Sequence, residues 1–299
     1  TNIVLLDDLI EYGQQKEFSF LPAEANENEK LAVIIHSSGS TGKPKGACIS
    51  AKALINNWKG DARAVPKITV IMSPFNHFMG RGDLYSSLRI GGTAYFTLMP
   101  DMSTLFEDIR LVRPTGLGFF PRIFELIHQH FQNEVTRRLK SKNDDRTAIE
   151  TEVKAEMKST YLGNRLLMGS VGSAPTSLKV RKFMVECFDI LLIEGYGNTE
   201  AGSGGLALDG KINRKVVIDY KLKDVPELGY YTTDKPFPRG ELCVKTKFGI
   251  TQYYKQPEAT AGLLDEDGYN LTGDIVEERA PEEIVIIDSR KDVLKLSQG

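Results

Sequence analysis

The chain has 299 residues, with 38 Lys plus Arg against 40 Asp plus Glu and a net charge of −2. Hydrophobic residues at 41% and charged residues at 26% are ordinary values for a globular chain, with length enough for one large domain or two smaller ones. The balanced charge argues against a bulk electrostatic partner such as nucleic acid or an anionic membrane, no apolar run approaches spanning length, and three scattered cysteines (Cys48, Cys187, Cys243) argue against a disulfide framework or a zinc site.

A reducing, cytoplasmic compartment is therefore the expectation, with no membrane insertion. The start, Thr1 to Asp8, lacks the basic and apolar regions of a signal peptide. Both ends read as cuts within a longer protein.

Leu31–Ile35 is a short apolar run suited to a buried strand. A loop follows, Ser37-Ser38-Gly39-Ser40-Thr41-Gly42-Lys43-Pro44-Lys45-Gly46. Its three glycines permit tight turns and close approach to a ligand, its consecutive amides can form an anion nest, and its hydroxyls and lysines complete a phosphate-type cradle. It is not the common P-loop, because Pro44 follows Gly42-Lys43 and no Gly stands five residues before Gly42. Ser50 can cap a helix carrying Leu54, Ile55 and Trp58 on one face.

Further strands are predicted over 68–72, 93–98, 117–120, 166–171 and 190–194, with helices between several of them; the rhythm is that of a layered α/β sandwich. Phe124, Ile127, Phe131, Val135 and Leu139 mark one helix. After the break Asn143-Asp144-Asp145, Ile149, Val153, Met157 and Tyr161 mark a second, with Thr147 and Glu150 as its capping box. The pair predicts a solvated helical hairpin with one buried face. Between two of these strands, Ser73–Arg81 carries a lone His77, a residue type that is packed or hydrogen-bonded more often than catalytic.

Gly195-Tyr196-Gly197-Asn198-Thr199-Glu200 follows the last of these strands. Glu200 stands where a dinucleotide fingerprint wants glycine. The segment offers a ring for a base, a hydroxyl, and a carboxylate able to hold Mg²⁺; taken alone it also reads as a tight turn. A boundary is expected in Gly202–Gly205, dividing an α/β core (1–203) from a smaller β-rich, barrel-like unit (204–299). That unit has strand patterns over 216–222, 241–246, 269–278 and 284–288, with Thr272-Gly273-Asp274 reading by itself as a turn.

Together these motifs resemble the adenylate-forming superfamily of acyl-CoA synthetases, peptide-synthetase adenylation domains and luciferases. Ser37–Gly46 matches its signature loop except for Ser37 in place of Thr, Gly195–Glu200 matches its Gly-Tyr-Gly-x-Thr-Glu, and Thr272–Asp274 its Thr-Gly-Asp. The chain is most similar to the adenylation domains of carboxylic acid reductases, through Val225–Tyr230, Pro238–Leu242, Val293–Gly299, His77–Arg81 and the charged helical region before Gly163.

The resemblance implies ATP-dependent activation of a carboxylic acid to an acyl-adenylate, with ATP/AMP and Mg²⁺ as cofactors. It implies that Ser37, Ser38, Gly39, Ser40, Thr41, Gly42, Lys43 and Lys45 hold phosphates, and that Ser173, Ala174, Pro175 and Tyr196, with Gly197 and Asn198, frame the nucleotide. Thr199 would contact the α-phosphate, Glu200 the Mg²⁺, Asp274 the ribose and His77 the carboxylate pocket. The family's ribose-binding Arg is replaced by Ser289, with Arg290 one place later; either Arg290 reaches the ribose or that contact is lost. The implied parent also has a mobile C-terminal subdomain with a catalytic Lys, a carrier domain with phosphopantetheine, and an NADPH-dependent reductase domain. An acyl- or aryl-CoA ligase and a non-catalytic nucleotide-binding module are the alternatives.

Overall fold

The computed structural model describes residues 11–12, 14–15, 30–37, 44–58, 66–141, 145–172 and 176–290, the side chains of 56–58, 203 and 204 apart. Two strands open the fold, β1 (Leu31–Ser37) and β2 (Lys45–Ser50), paired antiparallel. β2 is buried along nearly its whole length and has small side chains where the sequence suggests only loop and cap. Ser50 Oγ accepts the amide of Ala53 at 3.2 Å and so caps α1 (Ala51–Trp58); the Trp58 side chain lies outside the described residues. A parallel pair, β3 (Ile68–Ile71) and β4 (Thr93–Phe96), is bridged by α2 (Phe78–Arg89).

The α/β layer expected from the sequence is present. After α3 (Leu105–Val112), the strands β5 (Gly116–Phe119), β6 (Met168–Gly172) and β7 (Leu191–Asn198) run parallel. They are covered by α4 (Pro121–Ser141), α5 (Arg146–Thr160) and α6 (Leu178–Phe188). In the helical hairpin, Phe124, Ile127, Phe131, Val135, Ile149, Val153 and Met157 enter one apolar cluster with Phe119, Val171 and Leu192 of the sheet. The expected capping box is corrected. Asp145 has the extended backbone of a cap and its carboxylate accepts the Thr147 amide at 3.1 Å, whereas Thr147 already lies in the first turn.

β7 runs through Gly195–Asn198, so those residues form strand, and the turn is Thr199–Gly202. The chain then returns antiparallel in β8 (Ser203–Leu208) and β9 (Lys211–Ile212). The later strands are β10 (Val217–Lys223), β11 (Arg239–Thr246), β12 (Asn270–Ala280) and β13 (Glu283–Ser289), with a short α7 (Pro257–Ala261) before β12. One nine-stranded ladder results, in the order β10-β11-β12-β13-β9-β8-β7-β6-β5. The ladder crosses 203/204 without a break, while the apolar cores separate: one lies under β5–β7 and a second, with Leu206, Leu242, Val244 and Val276, under β8–β13. A third joins the first hairpin to the late segment through Ile35, Ile49, Ile250 and Tyr253. No helix among the described residues is long and apolar enough to cross a membrane.

Candidate nucleotide site

Ser37 ends β1 and Lys45 begins β2 as its cross-strand partner, so the Gly/Ser/Thr loop connects an antiparallel hairpin. Residues Ser38, Gly39, Ser40, Thr41, Gly42 and Lys43 lie outside the described residues, as do Ser173, Ala174 and Pro175.

The first end of the loop meets Glu200. Ser37 Oγ donates to Glu200 Oε1 at 2.7 Å, and Tyr253 OH donates to the same oxygen at 3.0 Å. Glu200 is 9% exposed. Its Oε2 has no partner among the described residues, so one oxygen is fixed and the other is available. Burial, and then the neighbouring Glu200 charge, push the Tyr253 phenol above its ordinary pKa, which keeps it a donor. The Lys45 ammonium lies 5.4 Å from the Tyr253 ring centroid.

The Tyr253 segment is stitched to β2 by its backbone: Tyr254 N to Gly46 O at 2.7 Å, and Cys48 N to Gln252 O at 3.1 Å. Gly46 has no room for a side chain, since a Cβ there would lie 2.9 Å from Ile34 Cγ2.

The turn bearing Glu200 is equally constrained. Asn198 Oδ1 accepts the Ala201 amide at 2.7 Å, and Ile250 N donates to Glu200 O at 2.9 Å. Thr246 Oγ1 donates to Ala201 O at 2.8 Å. Gly202 has φ +71°, and a Cβ there would meet Phe248 O at 1.9 Å.

Further back along β7, Tyr196 OH donates to Asp274 Oδ2 at 2.8 Å, across 78 residues of sequence. Burial and then the Asp274 charge hold the Tyr196 phenol well above its ordinary pKa. Ser289 Oγ donates to the other oxygen, Oδ1, at 3.2 Å. Thr272–Asp274 is not a free turn but a bulge inside β12, where the register with β11 shifts and Gly273 takes φ +75°. The Gly273 amide donates to Glu241 Oε1 at 2.9 Å. Arg290 is held by two carboxylates, Nη1 on Glu241 Oε2 and Nη2 on Glu227 Oε1, each at 2.7 Å.

His77 stands apart from these contacts. It is exposed and caps α2, its Nδ1 accepting the Met79 amide at 3.3 Å. A cavity of about 30 Å³ between the first hairpin, α1 and α2 is lined by Val33, Ile35, Ile49, Leu54, Phe78 and Tyr85 among others, and His77 is not in its lining. The sequence motifs thus converge as two pairs, Ser37 with Glu200 and Tyr196 with Asp274, linked by β7 and its turn. Tyr253 is a contributor that sequence reading does not single out; Glu241 lies in the Pro238–Leu242 segment without a role of its own there, and Ser289 stands out only as a departure from a motif.

The family model described as AMP-binding enzyme matches residues 3–254. A carboxylic acid reductase of Mycobacterium marinum is 48% identical over 276 residues, covering 91% of this chain and 23% of the relative. The adenylation domain of the carboxylate reductase from Mycobacterium chelonae superposes with a TM-score of 0.87 at 39% identity, covering 96% of this chain and 44% of that one. The adenylation domain of the Segniliparus rugosus carboxylic acid reductase, solved with AMP and a co-purified carboxylic acid, gives 0.85 at 41% identity, covering 98% and 47%. The chain spans about a quarter of the length of the curated carboxylic acid reductases it matches.

Proposed function

This chain belongs to the AMP-binding enzyme family, and on that premise we propose that it joins ATP to a carboxylic acid as an acyl-adenylate, releasing pyrophosphate, as the first step of reduction to an aldehyde by the whole protein. The observation that carries this reading is Ser37 Oγ on Glu200 Oε1 at 2.7 Å, which brings together two motifs 163 residues apart. The relatives' names and the Segniliparus rugosus complex support the substrate class.

In this reading a carboxylate oxygen attacks the α-phosphorus in line. An O–P bond forms to the acyl group, and the P–O bond to the β-phosphate breaks with its electrons leaving on pyrophosphate. The protein's work is positioning and charge neutralisation. The loop from Ser37 through Lys43, with Lys45, takes the β- and γ-phosphates, and Thr199 the α-phosphate. Ser173, Ala174, Pro175 and Tyr196 frame adenine, with Gly197 and Asn198 behind, and Asp274 takes the ribose hydroxyls. His77 faces the incoming carboxylate.

The donor set at Glu200 fits Mg²⁺: a carboxylate with one oxygen available, beside hydroxyls and incoming phosphate oxygens, is the hard-oxygen environment that ion takes. When bound, the ion would neutralise phosphate charge; Ser37 and Tyr253 hold the carboxylate in place for it. Phosphopantetheine and NADPH would serve later steps of the whole protein, and no described residue is assigned to them. Three buried free thiols agree with a cytoplasmic setting.

ATP–pyrophosphate exchange by the full-length protein, across a panel of aliphatic and aromatic acids, tests the reading. Exchange that depends on one class of acid is expected. Binding of ATP without exchange for any acid would point to a nucleotide-binding module instead.

A further inference from the structure

We propose that Arg290 serves the nucleotide site through Glu241, as a positioning residue, and does not itself touch the ligand. The proposal rests on the reading of Asp274 as the ribose-binding carboxylate.

Glu241 is a charged side chain only 2% exposed. A carboxylate so buried needs both oxygens satisfied. Its Oε1 accepts the Gly273 amide at 2.9 Å and its Oε2 accepts Arg290 Nη1 at 2.7 Å. Gly273 is the left-handed residue of the β12 bulge, at φ +75°. An extra residue in a ladder leaves its amide without a strand partner, and Glu241 supplies that partner. The next residue is Asp274, whose own amide donates to the buried Thr272 Oγ1 at 3.1 Å. The direction in which Asp274 leaves the sheet therefore follows from how firmly Glu241 holds Gly273.

Arg290 supplies the charged partner of the buried Glu241 carboxylate and so fixes its position. Both of its terminal nitrogens are engaged, the second with Glu227 on the short turn Pro226–Leu228. Ser289, where the resembling enzymes carry Arg, is turned to Asp274 instead: its Oγ lies 3.2 Å from Asp274 Oδ1 and 3.3 Å from Gly273 O. The two neighbouring residues divide one task. Ser289 orients the carboxylate, and Arg290 fixes the bulge that carries it.

The test is AMP binding by calorimetry on the full-length protein, for the parent and for Arg290→Ala, Glu241→Gln, the double variant, Arg290→Lys and Asp274→Ala. Two variants that break one clamp should not add. Arg290→Ala is expected to weaken AMP about tenfold, and the double variant to match it within about twofold. Arg290→Lys, which retains the charge, should recover most of the loss.

The same series with 2′,3′-dideoxy-AMP separates a role at the ribose from a contact with phosphate. A clamp acting through Asp274 costs this ligand nothing further on Arg290→Ala, whereas an Arg290 that touches phosphate costs it the same tenfold. Losses that multiply in the double variant, or an undiminished loss with the dideoxy ligand, overturn the proposal. AMP binding unaffected by Asp274→Ala would instead overturn the ribose reading beneath it. Weakening by Asp274→Ala with none by Arg290→Ala would sink the clamp alone.

Discussion

At Glu200 the two carboxylate oxygens are unequal, and that inequality is what makes the residue useful. Ser37 and Tyr253 both donate to Oε1, so the side chain cannot rotate without breaking two hydrogen bonds in a buried place. A hydrogen bond to a charged acceptor contributes about 1.5–3 kcal/mol. Tyr253→Phe removes one of the two while keeping the ring under Lys45. It is expected to lower pyrophosphate exchange about tenfold and to raise the Mg²⁺ concentration for half-maximal rate, with an unchanged melting temperature within a few degrees. Glu200→Gln should lower the same rate further, since the metal loses a charged ligand. A Mg²⁺ titration of both variants checks this; an unmoved Mg²⁺ midpoint would remove Glu200 from the metal role. Ser37 and Glu200 are legible in the sequence because each sits in a dense local pattern. Tyr253 is not, because its meaning depends on a contact across 53 residues, and its neighbours Gln252 and Tyr254 announce nothing.

Among the elements, the helical hairpin was legible because its apolar period is long and its faces are unequal. Ile127 is fully buried while Leu126 beside it is 48% exposed. Ile127→Ala should cost about 2–5 kcal/mol of stability, and Leu126→Ala within about 0.5 kcal/mol, in urea unfolding of the full-length protein. Equal effects would mean that the hairpin does not present this face to the sheet. β2 was not legible. Lys45-Gly46-Ala47-Cys48-Ile49-Ser50 is buried on both faces, so it lacks alternation, and its small residues have little strand preference. β8 was hidden for a related reason: Ser203-Gly204-Gly205 reads as a linker until β7 is there to pair with it. The turn between β7 and β8 is the opposite case, a place where glycine is compulsory. Gly202→Ala would set a methyl against Phe248 O in a left-handed backbone and displace Glu200. Loss of exchange with only partial loss of helical signal in circular dichroism is the expected outcome.

For the molecule as a whole, the open issue is whether the unbroken ladder or the separate apolar cores governs unfolding. Cys187 lies in α6 against the first core, and Cys243 in β11 on the far side of the 203/204 position. All three cysteines are buried and unpaired. Burial pushes the Cys187 thiol up to about 11 and the Cys243 thiol up to about 12, and raises Cys48 as well. Alkylation needs thiolate, so at pH 8 the folded protein should label slowly at each of the three sites, and labelling reports their opening. If the ladder is one cooperative unit, Cys187 and Cys243 become reactive at the same urea concentration. Cys48 should open earlier. Its hairpin is outside the ladder and is held by backbone bonds to Gln252–Tyr254 and by the small third core. Pulsed alkylation across a urea series, read by peptide mass spectrometry, measures the three midpoints. Separate midpoints for Cys187 and Cys243 would show that the two cores open independently despite the shared strands. The glycine-rich stretch at 202–205 would then be a physical boundary as well as a compositional one, and Glu200 and Asp274 would sit on opposite sides of it.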